Sequence, residues 1–265
     1  MTPLSTVSSL QRPTLSAQVA RHLLDLIARE HKKPGDIAPS EVQICRELGV
    51  SRGSVREAYR TLAALGILEI ESGRRPRLRP MSASVLAQVF GYALSTAQVD
   101  SSHVIETRRA IEVQGAQLAA RHITEAQKRC LRELVGQMRS ALGDHDHARR
   151  AAADMAIHTT LAEASQNPLN PMLLNALRAP LQQLMNIDLG ERRSQAELIR
   201  IVDAHESIVD RVCAGDAVGA GAAMSYHFDL SVASRSRAGQ PAAPATTAPP
   251  DAPAAAKRKP RPATP

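Results

Sequence analysis

The chain has 265 residues, with 33 lysines and arginines against 26 acidic residues, for a formal net charge of +7. It contains no Trp, and aromatic residues make up only 2% of it. This composition argues against an all-β fold and against aromatic platforms that stack single-stranded nucleic acid, while the many helix-forming residues predict a mainly α fold.

Charge is distributed unevenly along the chain. Residues 1–80 carry 13 basic and 8 acidic side chains, and residues 81–234 carry 14 basic and 17 acidic ones. Residues 235–265 carry 6 basic side chains and 1 acidic one. A basic N-terminal part followed by an acidic part predicts that only the former binds a polyanion. We therefore expect an N-terminal extension (1–14), a DNA-binding domain (15–80), a helical domain (81–234) and a disordered, basic tail rich in Pro and Ala (235–265).

Several features predict a cytoplasmic protein that does not contact a membrane. The N-terminus lacks the basic segment and apolar core of a signal peptide. The three cysteines, Cys45, Cys130 and Cys213, lie far apart without a CxxC pair, which fits a reducing compartment. The one long uncharged run, 81–99, contains too many polar residues for a membrane span.

Three short helices are predicted in the basic N-terminal domain. The apolar positions of residues 18–29 lie on one helical face. Ser40 and Gln43 form a capping box that opens a second helix, and Gly49 ends it. Ser51 is a candidate cap for the third helix. Two short helices joined by a turn that contains glycine are typical of a helix-turn-helix.

A basic hairpin, which we call the wing, is predicted after the third helix. Its turn carries Arg74 and Arg75, and Arg52 and Arg56 lie on the outer face of the third helix. Arginine can bind guanine or phosphate with two hydrogen bonds. The alternative is that these arginines only form a solvated surface. The residues expected to contact DNA are Ser51, Arg52, Ser54, Arg56, Arg74 and Arg75.

The same region closely resembles the DNA-binding domain of GntR-type bacterial transcription regulators. The matching segments are Pro34-Gly35-Asp36, Pro39-Ser40-Glu41, Leu48-Gly49-Val50-Ser51-Arg52 and Val55-Arg56-Glu57-Ala58. The resemblance implies a winged helix-turn-helix and a homodimer that binds double-stranded DNA at a palindromic operator. Val42 stands where the family often has arginine, and Gly73-Arg74-Arg75 replaces the usual Gly-Arg-Gly. One DNA contact is therefore expected to be missing, and the wing backbone is not expected to approach the minor groove closely.

The pattern from Val85 to Ser234 predicts six or seven helices in an antiparallel bundle. Four polar residues lie on helical faces that should be apolar: Asp154, His158, His205 and His227. Buried polar groups need partners, so these four could share one divalent cation. Scattered core histidines are an equally good reading. Aspartate and imidazole ligands suit Zn²⁺, with Ni²⁺ or Mn²⁺ as alternatives, and open coordination positions would attract a carboxylate.

This helical region resembles the FCD domain, which one branch of the GntR-type regulators carries. The resembling motifs are Glu106-x-Arg108-x-x-x-Glu112, Asp154-x-x-x-His158-x-x-Leu161-x-x-Ala164-Ser165-x-Asn167, Ala204-His205, Gly215-Asp216 and His227. The resemblance implies that the four polar residues are metal ligands and that Arg108 grips the carboxylate of an effector. A salt bridge with Glu112 is the alternative for Arg108. Asn167 either lines the effector pocket or caps the next helix. The presence of the metal set implies a small organic acid as effector.

Three functions remain open at this stage. The first is a transcriptional regulator, expected to be a repressor, whose operator affinity is switched by a small carboxylate bound at the metal. The second is a metal-dependent enzyme fused to a DNA-binding domain, although no general base stands at motif spacing beside the ligands. The third is an architectural DNA-binding dimer. The basic cluster of the tail is interpreted as solvated, with added attraction to DNA as the alternative.

Overall fold

The structure is a computed structural model that describes residues 13–184 and 194–237. Its N-terminal part contains the elements α1 (Leu15–Arg29), α2 (Glu41–Leu48), α3 (Arg52–Ala64), β1 (Leu68–Glu69) and β2 (Arg77–Leu78). The first helix begins at Leu15, three residues before the predicted start, because the Thr14 side chain accepts a hydrogen bond from the Ala17 N–H and caps it.

The helix-turn-helix is built by the local signals that the sequence carries. Ser40 and Gln43 exchange both hydrogen bonds of a capping box at the start of α2. Gly49 ends α2 in the left-handed conformation with φ of 64°, which glycine adopts without steric cost. The Ser51 hydroxyl then accepts a hydrogen bond from the Ser54 N–H at 3.2 Å and caps α3.

A compact apolar core fixes the position of α3. Its buried residues come from all three helices and from the hairpin, and they include Leu23, Ile44, Val55, Tyr59, Leu62 and Leu68. The Tyr59 hydroxyl donates a buried hydrogen bond of 2.7 Å to the Pro39 carbonyl. The tyrosine thereby holds α3 against the segment before α2, and the opposite face of α3 is left to solvent.

The wing is a short antiparallel hairpin. β1 pairs with β2 so that Leu68 lies opposite Leu78 and Glu69 opposite Arg77. The turn between them contains Gly73, whose φ of 75° requires a residue without a Cβ atom. The predicted hairpin is therefore present, with two residues in each strand.

The remaining described residues form a helical bundle without strands. Its helices are α4 (Ser84–Ser95), α5 (Ser101–His122), α6 (Glu125–Gly143), α7 (His147–Ala164), α8 (Leu169–Leu184), α9 (Gln195–Cys213) and α10 (Ala217–Arg237). The apolar core between α5, α6, α7, α9 and α10 includes Ile157, Val202, Ile208 and Met224, all 1% exposed or less. The prediction of a mainly α protein, with a winged helix-turn-helix followed by a helical bundle, is confirmed.

Two Asn-Pro pairs lie at the start of α8. Asn167-Pro168 marks a helix junction, whereas Asn170-Pro171 lies inside the first turn of α8, because proline is tolerated where the N–H has no intrahelical partner. Helix α10 continues through Arg237, past the predicted start of the tail. The tail from 238 onward and residues 1–12 lie outside the described residues. None of the described helices is both long and apolar enough to cross a membrane.

Candidate metal centre and nucleic-acid interface

Three helices bring the four predicted metal ligands together. Asp154 and His158 lie one turn apart on α7, His205 lies on α9, and His227 lies on α10. Each side chain offers one ligand atom, and these atoms all lie within 4.8 Å of one another. The three imidazoles are at most 6% exposed. The three histidines are therefore not scattered through the core, as the alternative interpretation would have them.

Hydrogen bonds outside the cluster orient two of the imidazoles. The His205 Nδ1 lies 2.7 Å from the Ile201 carbonyl oxygen, which can only accept, so Nδ1 carries the proton. The His205 Nε2 then lies 2.9 Å from the Asp154 Oδ1 and 3.3 Å from the His158 Nε2. The His158 Nδ1 lies against the Glu112 carboxylate. Such outer partners leave Nε2 as the ligating atom and fix the plane of the ring.

Two ion pairs surround the cluster. The Glu112 Oε1 lies 2.7 Å from Arg108 Nη2 and 2.8 Å from Arg108 Nε. Arg178, 7% exposed on α8, places its Nη2 3.2 Å from the Asp154 Oδ2. The two carboxylates and the two guanidinium groups therefore cancel in charge.

The electrostatic environment keeps the carboxylates ionised and two of the imidazoles neutral. Burial would raise the pKa of Asp154, but its contact with His205 and the charge of Arg178 hold it well below its usual value. Burial lowers the pKa of His158. Burial also lowers the pKa of His227, helped by His205 and His158. An ionised carboxylate and neutral imidazoles are the protonation states in which these groups bind a metal.

One feature of the cluster points directly to a ligand that the protein does not provide. The Nδ1 of His227 is buried and has no hydrogen-bond partner among the described residues. A buried polar atom without a partner costs free energy. The donor set of one carboxylate and three imidazoles also suits a borderline divalent cation. The residues present therefore fit a divalent metal.

A small cavity lies beside the cluster. It is lined by Ile111, Glu112, Gly115, Ala116, His158, Leu161, Ala162, Asn170, Leu174 and Met224. Its volume of about 10 Å³ is roughly what one water molecule needs. The walls come from α5, α7, α8 and α10, and most of the side chains are apolar.

The two predicted effector-binding residues lie in different settings. Arg108 forms an ion pair with Glu112, which lines the cavity. Its guanidinium carbon lies 5.5 Å from the centre of the Phe228 ring. The salt bridge offered as the alternative for Arg108 is therefore present. Asn167 is exposed, and its Oδ1 accepts from the Leu169 N–H at 3.1 Å, so it caps α8. An effector contact by either residue stays a prediction.

The sequence-based prediction omitted two roles that the structure assigns. Arg178 was not predicted, although it interrupts the apolar positions Leu174, Leu177 and Leu181 on α8, a signal of the same kind as the histidines. Glu112 was considered only as a partner of Arg108. Its contact with His158 joins α5 to α7 and has no signature in the local sequence.

The predicted DNA-binding residues lie on one exposed helix and on the wing. Arg52 and Arg56 are exposed on α3, and the Arg56 Nε lies 3.7 Å from the Glu41 Oε2. Ser51 and Ser54 are joined by their hydroxyls at 3.0 Å. Arg74 pairs with Glu71, and the Arg75 Nη2 lies 3.5 Å from the Gln43 Oε1. The structure shows exposure and positive charge here; contact with DNA stays a prediction.

Comparison with protein-family models finds two matches. Residues 15–77 match the model described as bacterial regulatory proteins, gntR family. Residues 103–230 match the model of the FCD domain. The first match covers the winged helix-turn-helix, and the second covers the helices that carry the metal cluster.

Curated relatives extend over most of the chain. The HTH-type transcriptional regulator LutR of Bacillus subtilis is 32% identical over 207 residues, which cover 77% of this chain and 93% of LutR. The putative L-lactate dehydrogenase operon regulatory protein of Escherichia coli is 30% identical over 225 residues, covering 82% of this chain and 84% of the relative. The HTH-type transcriptional repressor NanR of Salmonella newport is 30% identical over 204 residues, which cover 74% of this chain and 78% of NanR.

A solved structure gives the same picture of the fold. A GntR protein of Streptococcus agalactiae superposes with a TM-score of 0.61 at 25% sequence identity. The match covers 83% of this chain and 99% of the solved chain. The similarity therefore includes both the N-terminal and the C-terminal elements.

Proposed function

Since the chain belongs to the GntR family of bacterial transcription regulators and joins the family's DNA-binding domain to an FCD domain, we propose that it is a homodimeric repressor controlled by a small organic acid. The acid binds at a divalent metal held by Asp154, His158, His205 and His227. Because the protein acts on chromosomal DNA, it works in the bacterial cytoplasm. The relatives are regulators, so the protein is a regulator and not the metal-dependent enzyme considered above.

The DNA-binding proposal rests on how α3 is held. Its buried face packs on the N-terminal core, while Arg52 and Arg56 project from the exposed face of its first turns. A recognition helix enters the major groove in this way, and its first residues reach the base edges. Ser51 and Ser54 supply hydroxyls for phosphate contacts, and the wing adds charge beside them. Two such surfaces in a homodimer would bind the two halves of a palindromic operator.

The metal proposal rests on the convergence of four donors and on their outer partners. The Nδ1 atoms of His205 and His158 lie against the Ile201 carbonyl and the Glu112 carboxylate, and both rings thereby turn Nε2 toward the other donors. Zn²⁺ is our first candidate, and Ni²⁺ and Mn²⁺ are alternatives. When bound, such a metal supplies a positively charged Lewis-acid point that attracts a carboxylate.

Charge balance supports an anionic effector. The charges of Asp154 and Glu112 are already matched by those of Arg178 and Arg108. A divalent ion would therefore leave a net positive charge in a largely buried site. An organic acid would compensate that charge, and Arg108, which pairs with Glu112 in the cavity wall, would contribute a second contact.

The small volume of the cavity supports a mechanism of coupling. A cavity of about 10 Å³ holds roughly one water molecule, so an acid of several carbon atoms must shift α5, α7, α8 or α10 on binding. An effector changes affinity at a second site only if it favours one of two conformations of the protein. We propose that this displacement favours a dimer arrangement with lower affinity for the operator.

The name of one relative suggests which acid to test first. That relative is a putative regulator of an L-lactate dehydrogenase operon. L-Lactate is a short monocarboxylate, so it would displace the cavity walls less than a longer acid would. We therefore propose L-lactate and related short acids as the first candidates.

The single observation that carries this proposal is the convergence of the four donor atoms within 4.8 Å. The test uses full-length, metal-loaded protein and an operator duplex selected from random DNA, with affinity measured by fluorescence anisotropy. One of the short acids should weaken operator binding at least about tenfold, which is about 1.4 kcal/mol of coupling. The same acid should have no effect after chelation. Operator affinity that is unchanged by every acid, and by the chelator, would instead support the architectural dimer.

A further inference from the structure

Gly53 is an exposed glycine in the first turn of α3, between the predicted DNA-binding residues Arg52 and Ser54. The buried face of α3 begins at Val55. Because a helix turns by about 100° per residue, Gly53 lies about 160° around the axis from Val55. Of the residues in the first turn, Gly53 is therefore the one that points most directly away from the N-terminal core.

The fold itself gives no reason for a glycine at this position. Gly53 has an ordinary helical backbone, whereas Gly49 has a φ of 64° that favours glycine. Among the described residues, an added Cβ atom at Gly53 would meet only the Ser51 Oγ, at 3.7 Å, which is an ordinary van der Waals contact. Glycine is also less favourable than alanine in a helix. The position therefore lowers the stability of α3 without improving its packing.

Other glycines in the helices show the contrast. At four of them an added Cβ atom would meet another side chain of the protein: Gly91, Gly115, Gly219 and Gly221. These glycines have a reason in the packing of the bundle. Gly136, in the middle of α6, is exposed like Gly53, and an added Cβ atom there would meet no described atom within 4 Å. It differs from Gly53 in lying outside the DNA-binding domain, so it provides a matched control.

The dimensions of the major groove make this position sensitive to a side chain. The groove of B-DNA is about 12 Å wide and about 8.5 Å deep, and a helix with its side chains is about 10–12 Å in diameter. A recognition helix thus nearly fills the groove, and the residue that points farthest from the protein limits how deeply the helix enters. The hydroxyls of Ser51 and Ser54 are short, so they reach DNA only when the backbone of α3 is close to it.

We propose that Gly53 is the point at which α3 approaches the base pairs most closely, and that the absence of a side chain there determines which operator is bound. This inference rests on the proposed function, because it assumes that α3 is the recognition helix. Each base pair presents a different set of groups in the major groove, so an added methyl group would be accommodated at some base pairs and excluded at others. Gly53 is thus a specificity-determining residue that acts through its lack of a side chain.

The test adds one methyl group at this position. An operator duplex is selected from random DNA with the full-length native protein, and affinities are measured by fluorescence anisotropy at fixed salt. Gly53→Ala should weaken binding to that operator at least about tenfold, which is within the range for one mismatched base pair. Gly53→Val should weaken it further. Affinity for random DNA should stay within about twofold, because contacts with phosphates supply it.

Matched variants separate recognition from folding. Gly136→Ala and Gly136→Val add the same groups on an exposed face of α6, and they should leave operator affinity within about twofold. The thermal midpoint of Gly53→Ala should equal or exceed that of the native protein, because alanine favours a helix. If Gly53→Val loses its thermal transition, the alanine variant alone decides.

A second selection measures specificity directly. Operators are selected from random DNA with Gly53→Ala and compared with those selected by the native protein. The two sets should differ at one or two adjacent base pairs of each half-site and agree elsewhere, since the arginines that flank Gly53 are unchanged.

Each outcome has a distinct meaning. If the native protein selects no sequence from random DNA, the DNA-binding part of the proposed function fails, and the role of Gly53 fails with it. If it selects an operator that Gly53→Ala binds equally well, only the role of Gly53 is overturned. An equal loss of affinity for the operator and for random DNA, or identical operators in the two selections, would also overturn it. So would a lower thermal midpoint in Gly53→Ala, because it would show that the fold itself needs the glycine.

Discussion

Glu112 contacts two residues of the site at once. One carboxylate oxygen accepts from Arg108, and the other lies against the Nδ1 of His158. Burial would raise the pKa of Glu112, but its contact with His158 and the charge of Arg108 lower it far below its usual value. The group is therefore an anion that strengthens the imidazole as a metal ligand and also positions the guanidinium beside the cavity.

The substitution Glu112→Gln tests this role. Glutamine keeps the size of the side chain and can still accept from His158, but it loses the negative charge. Loss of an outer partner typically costs 10- to 100-fold in metal affinity, and we expect a decrease of about that size. Competition with a fluorescent chelator measures it. Glu106→Gln, an exposed change on the same helix, is the control, and equal affinities in the two variants would contradict the assigned role.

Arg108 has two roles that one variant can separate. If the arginine only pairs with Glu112, Arg108→Met should lower metal affinity and acid affinity together. If it also grips the carboxylate, as we propose, acid affinity should fall at least about tenfold while metal content is retained. Calorimetry on metal-loaded protein distinguishes the two. An unchanged acid affinity in Arg108→Met would show that Arg108 has only a structural role.

At the scale of elements, the convergence of the four candidate metal ligands was predictable because each of these residues breaks a helical pattern. His205 and His227 interrupt apolar stripes, and Asp154 and His158 lie four residues apart on one face. The packing of α5 on α7 was not predictable, because it depends on contacts between residues far apart in the chain. The role of Glu112 at His158 and the cavity at Asn170 therefore appeared only in the structure.

The helix caps also show which features can be predicted from the local sequence and which cannot. Ser40 and Ser51 were recognised as caps because the side chain and the N–H that it accepts from are three residues apart. Local signals of this kind fix where helices begin. The start of α8 was less clear, because two Asn-Pro pairs follow one another and only Asn167 caps the helix.

The prediction for DNA binding concerns two arginines of helix α3. Arg52→Ala and Arg56→Ala should each weaken operator binding about 5- to 150-fold, since a good base contact contributes about 1–3 kcal/mol. The double variant should bind the operator no better than random DNA in an anisotropy titration at fixed salt. Dimerisation should be unaffected in sedimentation.

The control removes one positive charge elsewhere. Arg121 is exposed near the end of α5 in the helical bundle, and Arg121→Ala should leave operator affinity within about twofold. Operator affinity of the double variant that equals that of the native protein would refute the assignment of α3 as the recognition helix.

At the scale of the whole molecule, two sites lie in separate parts of the chain. The basic N-terminal domain carries the proposed DNA-binding surface, and the helical bundle carries the four candidate metal ligands and the cavity. The division at residues 14, 80 and 234 stays a prediction. Communication between the sites requires that the acid and the operator prefer different arrangements of the dimer, so that the operator must also weaken binding of the acid by the same factor.

Metal binding should also determine the stability of the bundle. A metal that binds only the folded chain adds about 2.7 kcal/mol at a free concentration of 100 times its Kd. We expect the thermal midpoint to fall after chelation and to recover when Zn²⁺ is restored. His205→Ala should abolish that response, because it removes a donor that is 0% exposed at the centre of the cluster.

The metal content of the purified protein tests the central claim most directly. Elemental analysis of the native protein should find about one divalent ion per chain. His205→Ala should carry almost none, whereas His122→Ala, an exposed histidine at the end of α5, should carry as much as the native protein. Equal metal content in His205→Ala and the native protein, or no metal in native protein supplied with Zn²⁺, Ni²⁺ or Mn²⁺, would contradict the account.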